Sequence, residues 1–192
     1  MKITYNSPTV LTFSFIAVVI QIIASTVFPS ISNQYFSVGA SFHLTSPLWY
    51  FKLGSHILGH SCWPHLLGNI TYILLLGPLL EEKYGSKNLF IMIIITALIT
   101  GLANIILFSS GLLGASGIVF MLILLGSITD IRQGEIPLTF VLVALIFIGK
   151  EITAIFQEDN ISQMAHIIGG LTGGAFGFLV AKPKKISNSF YG

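Results

Sequence analysis

Gly114-Ala115-Ser116-Gly117-Ile118-Val119-Phe120-Met121-Leu122-Ile123-Leu124-Leu125 continues without a charge to Thr129, an apolar run long enough to cross a bilayer. It opens on a serine held between glycines. About fifty residues later His166 opens a second such run, followed by Gly169, Gly170, Gly173 and Gly174. A serine and a histidine at the same end of two apolar segments are candidates for a nucleophile and its base. Whether they meet depends on how the rest of the chain is organised.

The composition fixes the class. Of 192 residues 54% are hydrophobic and 8% charged, whereas a soluble domain carries roughly 25% charged residues. Charges fall in clusters that leave Ile3–Phe51, Leu53–Leu80, Asn88–Thr129, Ile136–Gly149 and Asn160–Ala181 uncharged. A helix needs about 20 apolar residues to cross the hydrocarbon core. Six spans fit these stretches: Thr9–Phe28, Leu66–Leu80, Leu89–Phe108, Gly114–Thr129, Pro137–Phe156 and Gln163–Ala181. The second is short unless its polar start at Pro64–His65 is also submerged. The fifth is interrupted by Lys150-Glu151, which can snorkel to a surface.

The first span is too long for a cleaved secretory signal and lacks a small-residue cleavage site, so it reads as a permanent helix. One cysteine, Cys62, excludes an internal disulfide. The expected fold is therefore an all-α membrane protein, a single membrane-embedded domain over 1–192 with its core at about 9–182 and short tails.

Basic residues orient it. With six spans both termini share one side with the turns Glu81–Lys87 and Asp130–Glu135. That side holds Lys2, Lys83, Lys87, Arg132, Lys182, Lys184 and Lys185, and the other only Lys52 and Lys150. The positive-inside rule places the termini in the cytoplasm. Ser116 and His166 then both lie near the outer leaflet.

The loop from Ser30 to Pro64 holds one charge, Lys52, beside Trp49, Tyr50, Phe51 and Trp63. That composition suits the headgroup interface. An ordinary interfacial loop and a substrate gate are equally compatible with it.

Polar groups in lipid persist only if paired or used. His65 and Asn69, four apart at the start of the second span, share one helix face. Alone they read as interhelical hydrogen-bonders, and Ser116 alone as a serine bonded to its own backbone. Together with His166 they read differently. Acyl transfer needs a nucleophile, a base and donors aimed at a developing oxyanion. Ser116 opens a helix whose N-terminal N–H groups face an anion, with Gly114 and Gly117 allowing close backbone approach. His166 can take the Ser116 proton and return it to the leaving amine. The side chains of His65 and Asn69 can donate to the oxyanion. The Gly169-xxx-Gly173 and Gly170-xxx-Gly174 pairs give the sixth span a small-residue face, expected to pack on the fourth span and bring His166 to Ser116. Packing without catalysis is the plainer reading of the same glycines.

At these residues the chain resembles the rhomboid intramembrane serine proteases. The resemblance covers roughly Ser55 to Lys182. It rests on His65-Leu66-Leu67-Gly68-Asn69, Gly114-Ala115-Ser116-Gly117, Ala165-His166-Ile167-Ile168-Gly169 and the turn Glu81-Glu82-Lys83-Tyr84-Gly85-Ser86. Each motif is short, but their order and spacing are specific. The resemblance implies a six-helix bundle and a serine endopeptidase with Ser116 as nucleophile, His166 as general base and no third carboxylate. His65, Asn69 and the Ser116 backbone N–H would form the oxyanion hole. It also implies transmembrane protein substrates, a lipid bilayer setting in a bacterial cell membrane, and no metal, organic cofactor or nucleic-acid partner. It leaves the oligomeric state open.

Two positions depart from the family. Bacterial members often carry a Trp-Arg pair in the first loop, where this chain has Phe51-Lys52, losing the bidentate bonding of arginine. Many members place a tyrosine beneath the histidine, four residues after the nucleophile. Phe120 keeps that ring without its hydroxyl.

Three other classes compete. An inactive relative that escorts membrane proteins would retain the fold, and a present dyad does not exclude it. A metal site on His56, His60 and His65 has plausible spacing, but no His-Glu-x-x-His helix accompanies it, and three histidines at a helix entrance read better as interfacial hydrogen-bonders. A small transporter would require charged spans or inverted repeats, and neither is present.

Overall fold

The computed structural model describes residues 2–107, 111–131 and 163–179, with a few single positions between 138 and 149. Described residues form helices and connecting loops, without a strand. Among the described residues these helices follow in order: α1 Pro8–Thr26, α2 Ile31–Tyr35, α3 Pro47–Ser55, α4 Trp63–Tyr84, α5 Ser86–Leu107, α6 Ser116–Ile131 and α7 Gln163–Leu179. A single 3₁₀ turn, His56–Leu58, follows α3. The expected fifth span, Pro137–Phe156, lies for the most part outside the described residues.

Among the described residues three helices, α1, α4 and α5, are long and apolar enough to cross a membrane. The polar start of α4 is helical after all: Pro64 sits in its first turn, where a proline lacks no needed N–H. The second span therefore gains its length by including Trp63–His65. The supposed cytoplasmic turn after it shrinks to Gly85, whose φ of 82° lets α4 stop and α5 begin at Ser86.

Large apolar side chains face outward on each long helix, among them Phe15, Val19, Leu75, Leu79, Phe90 and Ile106. In water such surface would drive association; on helices of this length it is the lipid face of an integral membrane protein. By contrast α6 is enclosed. Every residue from Leu112 to Ile123 is buried, so this part of the helix has no lipid face and lies in the core. Ser116 at its start is thereby surrounded by protein.

The small residues of α7 pack on α6, as expected, and on α5 as well. A Cβ at Gly169 or Gly173 would run into the hydroxyls of Thr100 and Thr96 on α5. Gly170 faces α6, where a Cβ would come within 2.5 Å of the Phe120 ring, and Gly173 also borders Met121 of α6. The Gly169-xxx-Gly173 face thus docks chiefly on the third span, and α7 is wedged between α5 and α6. The reason is the helical period: glycines at 169, 170 and 173 cover two adjacent faces rather than one.

Glu81 ties the bundle together away from the site. Its carboxylate, buried in the last turn of α4, accepts from the N–H groups of Thr9 (2.8 Å) and Val10 (3.0 Å). These are first-turn donors of α1 with no intrahelical partner, and the negative charge meets the positive end of the helix dipole.

The first loop is ordered. Trp49 is buried with Val38, Leu53, Ile105 and Leu112, and its indole N–H donates to Ser41 O at 3.1 Å. Tyr50 and Phe51 remain exposed, Phe51 packing edge-on to Phe36. Val38 and Leu112 exchange two backbone hydrogen bonds of 2.9 Å, fastening this loop to the segment that leads into Gly114.

Candidate active site

Gly114 turns the chain into α6 with φ of 116°, a conformation that side chains resist. Its N–H donates to the His56 carbonyl at 2.9 Å. The missing side chain matters as much as the torsion. A Cβ here would stand 2.7 Å from both Cε1 and Nε2 of His65 and 3.8 Å from Nδ2 of Asn69. Two nitrogens from the entrance of α4 therefore converge on the space beside Gly114.

Ser116 begins α6 and is 3% exposed. Its hydroxyl donates to Asn69 Oδ1 at 3.3 Å. Its backbone N–H belongs to the first helical turn, where no intrahelical acceptor exists. Gly117, the next residue, is also buried. His65 is half-buried, with Nδ1 3.1 Å from Ser61 Oγ. When Ser61 donates to Nδ1, Nε2 carries the ring proton and becomes a donor toward Gly114.

The structure thus brings together Ser116, Asn69, His65 and Gly114, four of the expected site residues. The backbone at His166 is helical within α7, while its side chain lies outside the described residues. Its level is nevertheless defined by its neighbours. Phe120 meets Gly170 and Met121 meets Gly173, so numbers on α6 and α7 rise together and the helices run parallel. One turn back from Phe120 is Ser116; one turn back from Gly170 is His166.

The three histidines with metal-like spacing bond to different protein groups. His56 Nε2 donates to Ala97 O at 3.0 Å, His65 meets Ser61, and His60 lies between Leu58 O at 3.2 Å and Asn69 Nδ2 at 3.0 Å. Hydrogen bonding, the favoured reading of these three histidines, is what they do here; Ser61 is a partner that their spacing did not indicate. A polar run at the mouth of an apolar helix was the available signal; which partner each side chain takes was not encoded in spacing.

The rhomboid domain family model matches residues 46–183. The chain belongs to the rhomboid family. It is 27% identical over 141 residues to a Haemophilus influenzae protein described as "Rhomboid protease GlpG", covering 69% of this chain and 71% of that one. The class expected from the sequence follows: a serine-type intramembrane endopeptidase, embedded in the membrane.

Proposed function

We propose that this rhomboid cleaves transmembrane proteins within or near the bilayer through a dyad of Ser116 and His166. The observation that carries the reading is the buried Ser116 hydroxyl on Asn69 at 3.3 Å, on a helix that runs parallel to α7 with positions 116 and 166 at one level. The hydroxyl swings from Asn69 to His166, gives up its proton, and Oγ attacks the scissile carbonyl carbon. Negative charge develops on the carbonyl oxygen in the space beside Gly114. There His65 Nε2–H, an Asn69 N–H and the Ser116 backbone N–H donate to it. The C–N bond breaks, the amine leaves with the proton from His166, and Ser116 is acylated. Water, deprotonated by His166, then hydrolyses the ester.

The same reading takes the chain as one domain of six spans, with cytoplasmic termini in a bacterial membrane and the site toward the outer leaflet. Gly117 supports the Ser116 turn. Phe120 supplies the packing beneath the histidine, and Gly169 and Gly173 let α7 approach. The deciding experiment is fluorophosphonate labelling in detergent, with Ser116→Ala and His166→Ala beside wild type. Labelling and cleavage lost in both variants, with the helical fold retained, supports the dyad. Unchanged cleavage by Ser116→Ala, or inhibition by chelators alone, would sink it.

A further inference from the structure

We propose that His60 is a positioning residue that fixes which face of the Asn69 carboxamide meets the reacting atoms. The inference rests on the serine-protease reading above. It starts from the Leu58 carbonyl, which can only accept, so His60 Nδ1, 3.2 Å away, must donate. A neutral ring then presents a lone pair at Nε2, and the group 3.0 Å from it is Asn69 Nδ2, a donor. With its NH2 held by His60, Asn69 turns Oδ1 to the Ser116 hydroxyl. Each role forces the next, from the Leu58 carbonyl to the nucleophile.

Burial gives the chain its authority. His60 is 2% exposed, Asn69 1% and Ser116 3%. Water cannot substitute for a mismatched bond there, and an unsatisfied buried polar group costs about 1–3 kcal/mol. A flipped Asn69 would set Oδ1 against the Nε2 lone pair. It would also put an acceptor where the oxyanion needs a donor. In the observed orientation one N–H goes to His60 and the second is left for the space beside Gly114, which His65 Nε2 also borders. His60 touches no reacting atom; it acts through Asn69.

Two substitutions separate this role from a structural tie. In His60→Gln the terminal amide oxygen reaches the place of Nε2 and can accept from Asn69. In His60→Asn the shorter amide reaches only the place of Nδ1, keeping the Leu58 bond and losing the Asn69 bond. The readout is the maximal rate and half-saturation of Ser116 labelling by a fluorophosphonate. In that reaction Ser116 Oγ bonds to phosphorus, fluoride leaves with the P–F bond, and the phosphoryl oxygen occupies the oxyanion space. His60→Asn should lower the maximal rate about 10- to 100-fold, below the full effect of losing an oxyanion donor, with half-saturation unchanged and a lower melting midpoint, because an Asn69 N–H loses its acceptor. His60→Gln should stay within about 3-fold of wild type, and in an Asn69→Ala background His60→Asn should add no further loss. Equal losses in His60→Gln and His60→Asn, or an undiminished loss in the Asn69→Ala background, would each overturn the assignment. Labelling that survives Ser116→Ala would instead overturn the protease reading itself.

Discussion

Gly170 lies against the ring of Phe120 with no room between them: a Cβ would approach Cδ1 to 2.5 Å and Cβ to 2.7 Å. This contact sets the distance between α6 and α7 one turn from Ser116 and His166. The buried ring cannot retreat, because Phe120 sits in the fully enclosed stretch of α6.

Gly170→Ala should therefore push α7 off α6 and separate nucleophile from base. A displacement of about 1 Å is enough to lower the catalytic rate about 100-fold. The expected result is a loss of that order in cleavage and in fluorophosphonate labelling, with helical content by circular dichroism retained. Wild-type activity in Gly170→Ala would show that the Phe120 contact does not govern the spacing.

Gly114→Ala meets two obstacles at once. A positive φ of 116° strains any L side chain, by about 1–3 kcal/mol, and the methyl group would strike the His65 imidazole. The ring it displaces is a proposed oxyanion donor, and losing one such donor lowers the rate about 10²- to 10³-fold. Kinetics of the purified variant should show this loss mainly in kcat, accompanied by a lower melting midpoint. A drop in stability with kcat intact would remove His65 from the oxyanion hole.

Asn69→Ala removes a donor but also strips partners from two buried groups, Ser116 Oγ and His60 Nε2. Activity should fall about 10²- to 10³-fold. Stability should fall by about 1–3 kcal/mol for each buried group left unsatisfied. Asn69→Asp retains the acceptor for Ser116 and loses the donor, so it should recover part of the stability and none of the rate. Comparing unfolding midpoints with single-turnover rates for the two variants checks both halves.

The membrane setting, the long helices α1, α4 and α5, and the shared face of His65 and Asn69 were legible because each depends on local pattern: apolar run length, charge spacing, and the i, i+4 rule; α2 and α3, inside the expected loop, were not. Other features are set by contacts across long sequence separations. Nothing near Gly169 or Gly173 indicates that Thr96 and Thr100 of α5 will fill the notch, so the contact of the glycine face with α6 was foreseen and its contact with α5 was not. Trp49 looked interfacial by composition, yet Val38, Ile105 and Leu112 enclose it. His60 has the spacing of a ligand and the partners of a hydrogen-bond relay. Glu81 resembled an ordinary charge at a cytoplasmic turn, and its partners lie more than seventy residues earlier.

Glu81 allows a test of stability apart from catalysis. Its two carboxylate oxygens each take one N–H at the start of α1, and among the described residues none of the site is bonded to it. Glu81→Gln keeps one acceptor, turns an NH2 toward the other N–H, and removes the charge that complements the helix dipole. Hydrogen bonds to charged groups contribute about 1.5–3 kcal/mol each, so destabilisation of about 2 kcal/mol is expected. Glu81→Ala should be worse, because both N–H groups lose their acceptor. The melting midpoint in detergent should fall in the order wild type, Glu81→Gln, Glu81→Ala. At temperatures well below the lowest midpoint, the Ser116 labelling rate should be the same for all three. A rate that falls in parallel with the midpoint would mean that the seat of α1 is coupled to the Ser116 turn.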